Sequence, residues 1–203
     1  MTILMMHGKN IISFALALFS ALMPLMAFAE EEIDIKYIYT QTDSSYSFYS
    51  SFKINANPKC LLDISFKYTH IYALAPDAKE VVLIDSGSNW NQISYTYQKF
   101  IFFENTTVWY RKLDEEKQRV DFTLVSSQNN QTIMPRLISS SGFYQVKKQE
   151  EYVIVEYYQQ CRLAESSLTK VYLNRVKKEA INFMYLFSEY ALEHCSWSSL
   201  PDN

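Results

Sequence analysis

The sequence predicts an α+β domain in which an antiparallel sheet packs against one long C-terminal helix. Three observations carry this. Residues 168–194 contain no Pro or Gly, and their apolar side chains recur at helical spacing. Most of the chain between 33 and 160 alternates apolar and polar in short runs divided by turn residues, the period of strands with one buried face. One interruption, at 57–76, reads as helical instead. A long helix with a single apolar stripe must bury it against something, and a curved antiparallel sheet is the only partner this chain offers.

Residues 1–29 stand apart from this pattern. A short start carrying Lys9 leads into an apolar run from Ile11 to Phe28, interrupted only by Ser13, Ser20 and Pro24. It closes on Ala27-Phe28-Ala29, small-x-small, followed by Glu30, Glu31 and Glu32. This is the layout of a cleavable secretory signal peptide. A permanent anchor needs about 20 predominantly apolar residues, and this run is shorter and broken by Pro24. The expected mature chain is 30–203, one domain in length, with no other stretch apolar enough to span a membrane. It is expected in the periplasm or outside a bacterial cell.

Composition excludes several classes of function. Of the 19 Lys and Arg only Lys9 falls in the leader, and 22 Asp and Glu remain, so the mature chain is mildly acidic. A nucleic-acid-binding domain would show a strongly basic face. Gly87 and Gly142 are the only glycines after the leader, which excludes a glycine-rich phosphate loop. No cofactor motif is present and none is expected. Three cysteines remain (Cys60, Cys161 and Cys195) without CxxC or CxH spacing, and His70 and His194 are far apart in the chain. Structural zinc usually takes four Cys or His ligands, so no metal is expected. In an oxidising compartment two of the three cysteines are expected to be bridged and one left over. Aromatic residues make up 16 % of the chain, with 16 Tyr and 13 Phe. They suit strands, and they equally suit the lining of a cavity.

The elements follow in order. Strands are expected at 33–41 and 45–55, the second with Tyr46, Phe48, Phe52 and Ile54 as its apolar residues. Asn57 is a good N-cap and Pro58 suits the first helical position, so a short helix is expected over 58–67 and a second over 69–75, stopped by Pro76. Strands at 80–85, 90–103, 106–113 and 119–126 come next. Ile93, Tyr95 and Tyr97 share one face of the second, and Val120, Phe122 and Leu124 one face of the fourth. Residues 127–141, polar at both ends around an apolar insert, read as a surface loop or a flap at a cavity mouth. Strands at 142–148 and 151–160 complete the sheet. The closing helix has Leu168, Val171, Tyr172, Val176, Ala180, Phe183, Met184, Phe187 and Ala191 at helical spacing, roughly seven turns.

This order resembles the START-like helix-grip superfamily (SRPBCC), which includes lipid-transfer domains, pollen-allergen-like carriers and bacterial polyketide cyclase-like proteins. The resemblance covers roughly 45–195. It rests on the strand ending Phe52-Lys53-Ile54, the Asn57-Pro58 start of a short helix, the run Ala75-Pro76-Asp77-Ala78-Lys79-Glu80-Val81, and the closing helix. It implies a helix-grip fold: a curved antiparallel sheet of about six to eight strands wrapped around the C-terminal helix, with two short helices after the first core strand. The strand at 33–41 is extra to that core. The resemblance also implies a pairing of cysteines. In helix-grip proteins the two short helices support the C-terminal end of the long one, so Cys60 and Cys195 would be bridged and Cys161 left unpaired.

What the resemblance implies about function is a cavity between sheet and helix holding a lipid-like or aromatic small molecule. The candidate ligand-binding residues, placed by alternation or helical spacing, are Tyr95, Tyr97, Phe122, Leu124, Tyr157, Tyr172, Val176 and Met184. Arg111 joins them as a partner for an anionic headgroup if it points inward, though a solvated strand arginine is the plainer reading. A second reading is an envelope protein-interaction domain whose core is packed shut by Phe and Tyr. A third is a cyclase or dehydratase, for which Glu156 and His70 are the only nominees for acid or base. No nucleophile with a partnered base is visible, and no catalytic residue is assigned. Asn105-Thr106-Thr107 and Asn130-Gln131-Thr132 match N-glycosylation acceptors, a pattern with meaning only in a eukaryotic secretory pathway.

Overall fold

The computed structural model describes residues 33–99, 103–130 and 135–195. The expected signal peptide and the Ile133-Met134 part of the apolar insert lie outside the described residues. Among these the elements are β1 (Lys36–Gln41), β2 (Ser45–Ile54), α1 (Pro58–Phe66), α2 (Tyr68–Leu74), β3 (Ala78–Ser86), β4 (Trp90–Lys99), β5 (Phe103–Asp114), β6 (Arg119–Asn129), β7 (Leu137–Lys148), β8 (Val153–Leu163) and α3 (Thr169–His194). The eight strands form one antiparallel sheet in the order β1-β2-β8-β7-β6-β5-β4-β3. This is the α+β helix-grip arrangement.

β2 keeps the register its alternation implies. Tyr46, Phe48, Phe52 and Ile54 are all buried on the inner face, and β8 answers with Val153, Val155 and Tyr157. The first short helix starts where the cap residues place it. The Asn57 side chain accepts from the Cys60 amide at 3.1 Å, with Pro58 inside the first turn. Leu61, Leu62 and Ile64 then face the core. The second helix packs on β3 and β4 through a smaller cluster of Ile71, Val81 and Ile93.

The segment 127–141 differs from expectation. β6 runs on to Asn129 and β7 begins at Leu137, so most of the expected loop is strand. Its serines hid the ladder because they carry no apolar alternation. Ser140 is buried, and its hydroxyl donates to the Gln160 carbonyl at 3.0 Å, so the polar side chain is satisfied inside the sheet.

The long helix buries Leu173, Val176, Met184, Phe187 and Ala191. Val171, assigned to this stripe by spacing, is instead 64 % exposed. It lies two residues from Leu173, about 200° around the helix at 3.6 residues per turn, so the two cannot share a face. The C-terminal end of α3 is fastened to α1 by a Cys60–Cys195 disulfide, and the Asn57 amide donates to the Cys195 carbonyl at 2.8 Å. Cys161 is unpaired and buried. Among the described residues no helix is long and apolar enough to cross a membrane.

Candidate functional site: a hollow between sheet and helix

The backbone of α3 approaches β1, β2 and the two short helices closely. Over the middle of the sheet rings bridge the gap: Tyr144 meets Phe183 and Phe187 at 6.4 and 5.9 Å between centroids, and Tyr157 meets Phe183 at 5.8 Å. Beyond these rings the space stays open as a cavity of about 610 Å³. That lies within the range of about 300–1,000 Å³ typical of small-molecule sites.

Strand alternation builds the wall. Four residues two apart on β5 (Asn105, Thr107, Trp109 and Arg111) face inward. Their cross-strand partners on β4 are Tyr97, Tyr95, Ile93 and Asn91 respectively. Phe122, Tyr144, Tyr157 and Gln159 carry the wall across β6, β7 and β8, and Tyr172, Glu179 and Phe183 close it from α3.

Of the residues singled out from the sequence, Tyr95, Tyr97, Arg111, Phe122, Tyr157 and Tyr172 line this cavity together. Val176 lines a smaller adjoining hollow of about 160 Å³. Met184 is fully buried in the packed core beside the cavity rather than in its wall. Leu124 is half-buried and also outside the wall. A register shift between β5 and β6 falls just past it, between the Trp109–Leu124 and Val108–Ser126 pairs, so beyond Leu124 the buried positions of β6 are Ser127 and the half-buried Asn129. Arg111, read from the sequence as more plausibly solvated, is only 5 % exposed. Sequence reasoning missed Tyr144, Trp109, Asn105, Thr107 and Gln159. The same period of two that selected Tyr95 and Tyr97 would have found the β5 set, given the inward position of Arg111.

The cavity has two chemically distinct regions. On the β8 side the Tyr46 and Tyr157 hydroxyls both donate to Gln159 Oε1, at 3.4 and 3.0 Å, and Gln159 Nε2 donates to the Ser140 hydroxyl at 3.3 Å. That hydroxyl lies 2.9 Å from the Cys161 sulfur. Burial raises the Cys161 thiol pKa, while hydrogen bonds from Ser140 and Tyr46 oppose the rise; the thiol is a packed group, not an activated one. On the β4–β5 side the Tyr95 and Tyr97 rings stack at 6.3 Å. Neither these two hydroxyls nor those of Tyr144 and Tyr172 have a hydrogen-bond partner among the described residues. Burial pushes the Tyr97, Tyr144 and Tyr172 phenols well above their usual value, so all are neutral donors at physiological pH.

The two nominees for acid–base chemistry lie elsewhere. Glu156 pairs with Lys147 at 2.7 Å on the outer face of the sheet. His70 Nδ1 meets the Tyr190 hydroxyl at 3.0 Å, and burial lowers its pKa against the pull of Asp63. Neither lines the cavity. Asn105, one of the two glycosylation matches, turns its side chain into the cavity, and its Oδ1 is buried. The other match runs outside the described residues at Gln131-Thr132.

No family model matches the sequence, and no curated protein matches it. Solved structures do. A STAR-related lipid transfer protein from Xanthomonas axonopodis superposes with a TM-score of 0.62 at 10% identity, over 77% of this chain and 93% of that one. The Zhui aromatase/cyclase from a Streptomyces species gives 0.61 at 9% identity, over 82% and 99%. A START superfamily protein from Mycobacterium smegmatis gives 0.56 at 4% identity, over 72% and 97%. The chain has the START-like helix-grip fold.

Proposed function

We propose that this is an exported binding protein that holds a hydrophobic small molecule, lipid-like or aromatic, between the sheet and the C-terminal helix. The single observation that carries this reading is the open cavity of about 610 Å³ in a chain with enough Phe and Tyr to have closed it. Its wall combines nine aromatic rings and seven aliphatic residues with eleven polar or charged side chains, Arg111, Asp77, Glu104 and Glu179 among them, an apolar surface with placed polar groups of the kind small-molecule sites use. The hollow separates this reading from a protein-interaction domain with a filled core. The two acid–base nominees, His70 and Glu156, lie outside its wall. Similar folds that include a lipid transfer protein support it by analogy. Export is supported by the leader at the N-terminus and by the disulfide, which persists in oxidising compartments.

The test is native mass spectrometry of protein produced through an oxidising compartment, before and after organic extraction. The expected result is a co-purifying species that extraction removes and that a mixed lipid extract restores. A clean apo mass both times would sink the reading and favour the protein-interaction domain.

A further inference from the structure

Arg111 is a buried cation on the cavity wall. It is 5 % exposed, and among the described residues no carboxylate pairs with it. Its one hydrogen bond runs from Nη1 to the Phe66 carbonyl at the C-terminal end of α1, at a long 3.4 Å. That carbonyl is already taken at 2.9 Å by Nδ2 of Asn91, the cross-strand neighbour of Arg111. A guanidinium carries five N–H donors, this one makes a single long hydrogen bond among the described residues, and the side chain borders the cavity. An unpaired charge held out of water is strongly unfavourable. The chain keeps one here, on an inner strand between Asn91 of β4 and Phe122 of β6.

Resting on the cavity being a ligand site, we propose that its ligand is a hydrophobic acid, with an apolar body against the ring wall and one carboxylate received by Arg111. The planar fork of arginine matches a carboxylate with two parallel hydrogen bonds. One cation calls for one negative charge, which favours a carboxylate over a doubly charged phosphate monoester. The Tyr95 and Tyr144 hydroxyls are close enough to feel the Arg111 charge. Neither has a hydrogen-bond partner among the described residues, so both stand ready to donate to the ligand's oxygens. The volume suits a molecule of drug-like size and not a two-tailed phospholipid.

The experiment compares each acid with its methyl ester, which keeps the shape and removes the charge. Two fluorescent pairs of different shape serve: cis-parinaric acid and pyrenebutyric acid, each with its ester, titrated into the full chain after organic extraction. The expected result is that the better-fitting acid binds about ten-fold more tightly than its ester, a difference of about 1.4 kcal/mol. Arg111→Met should bring that ratio to near one, and Arg111→Lys should keep part of the preference. Equal binding of acid and ester by the unsubstituted protein overturns the inference and leaves the cavity reading standing, and needs no variant to fold. So does an acid preference that survives in Arg111→Met. Tighter displacement of the probe by dodecyl phosphate than by dodecanoate overturns the carboxylate assignment. If neither acid nor ester of either shape binds and nothing co-purifies, the cavity reading itself falls.

Discussion

A methyl group added at Gly142 would collide with the Tyr158 carbonyl and with the edge of the Phe122 ring. Gly142 stands opposite Phe122 on β6 and Gln159 on β8. Its missing side chain lets the Phe122 ring lie down on the sheet, where it stacks 5.9 Å from Tyr157 as part of the cavity wall. Gly142→Ala is therefore expected to cost about 2 kcal/mol, the scale of overpacking in a close-packed interior. Urea denaturation would measure it, and the variant should also bind hydrophobic probes less well because the ring is driven into the hollow. The buried tyrosines make a second prediction. Burial holds the Tyr97, Tyr144 and Tyr172 phenols above the usual value of 10.0, so at alkaline pH the folded state keeps protons that the unfolded chain has lost. Their contribution is fully present below pH about 10 and declines as pH rises beyond it. A spectrophotometric titration should show exposed tyrosines ionising first and a second class ionising only as near-ultraviolet ellipticity collapses. A single class titrating together, with the fold intact, would contradict the burial.

Among the elements, α3 depends on its C-terminal fastening. The disulfide closes a span of 135 residues, worth about 5 kcal/mol in the chain-entropy model, a figure that measured bridges often fall short of. The Cys60→Ser, Cys195→Ser double variant should lose several kcal/mol of stability and match the reducing-agent-treated protein in thermal unfolding; equal melting of oxidised and reduced protein would show that packing of α1 on α3 suffices alone. These elements were legible because their signals are local. Asn57 and Pro58 mark the start of α1, and Tyr46, Phe48, Phe52 and Ile54 keep strict alternation in β2. Where a signal depended on a neighbouring strand it was lost. Nothing near Leu124 announces that β5 and β6 slip by a residue at Val108, yet beyond that slip strict alternation from Val120, Phe122 and Leu124 no longer predicts the inner face, and Asn129 joins the wall. The serines of β7 resemble a loop until β8 supplies their partners.

At the scale of the whole molecule, the cavity was beyond what one-dimensional pattern could show, because a hollow is a difference between the volume enclosed and the volume filled. Alternation put Tyr95, Tyr97 and Phe122 on the inner face. Whether their rings meet α3 depends on how far the helix stands from the sheet, and that distance is set where α3 touches β1, β2 and the short helices. The sheet and helix are packed together at one side and parted at the other, so a ligand would complete contacts that the protein leaves open. Binding to the folded state alone then adds stability by mass action, about 2.7 kcal/mol when the ligand is present at 100 times its dissociation constant. Extracted protein should melt at a lower temperature than protein as purified, and returning the ligand should restore it in proportion to the logarithm of its concentration. Hydrogen exchange should slow on binding in β4 and β5 and also in α3 around Tyr172 and Phe183, since these elements line the cavity from opposite sides. Protection confined to exposed residues of the outer sheet face, with no change in α3, would place any bound molecule on the surface and leave the hollow without an occupant.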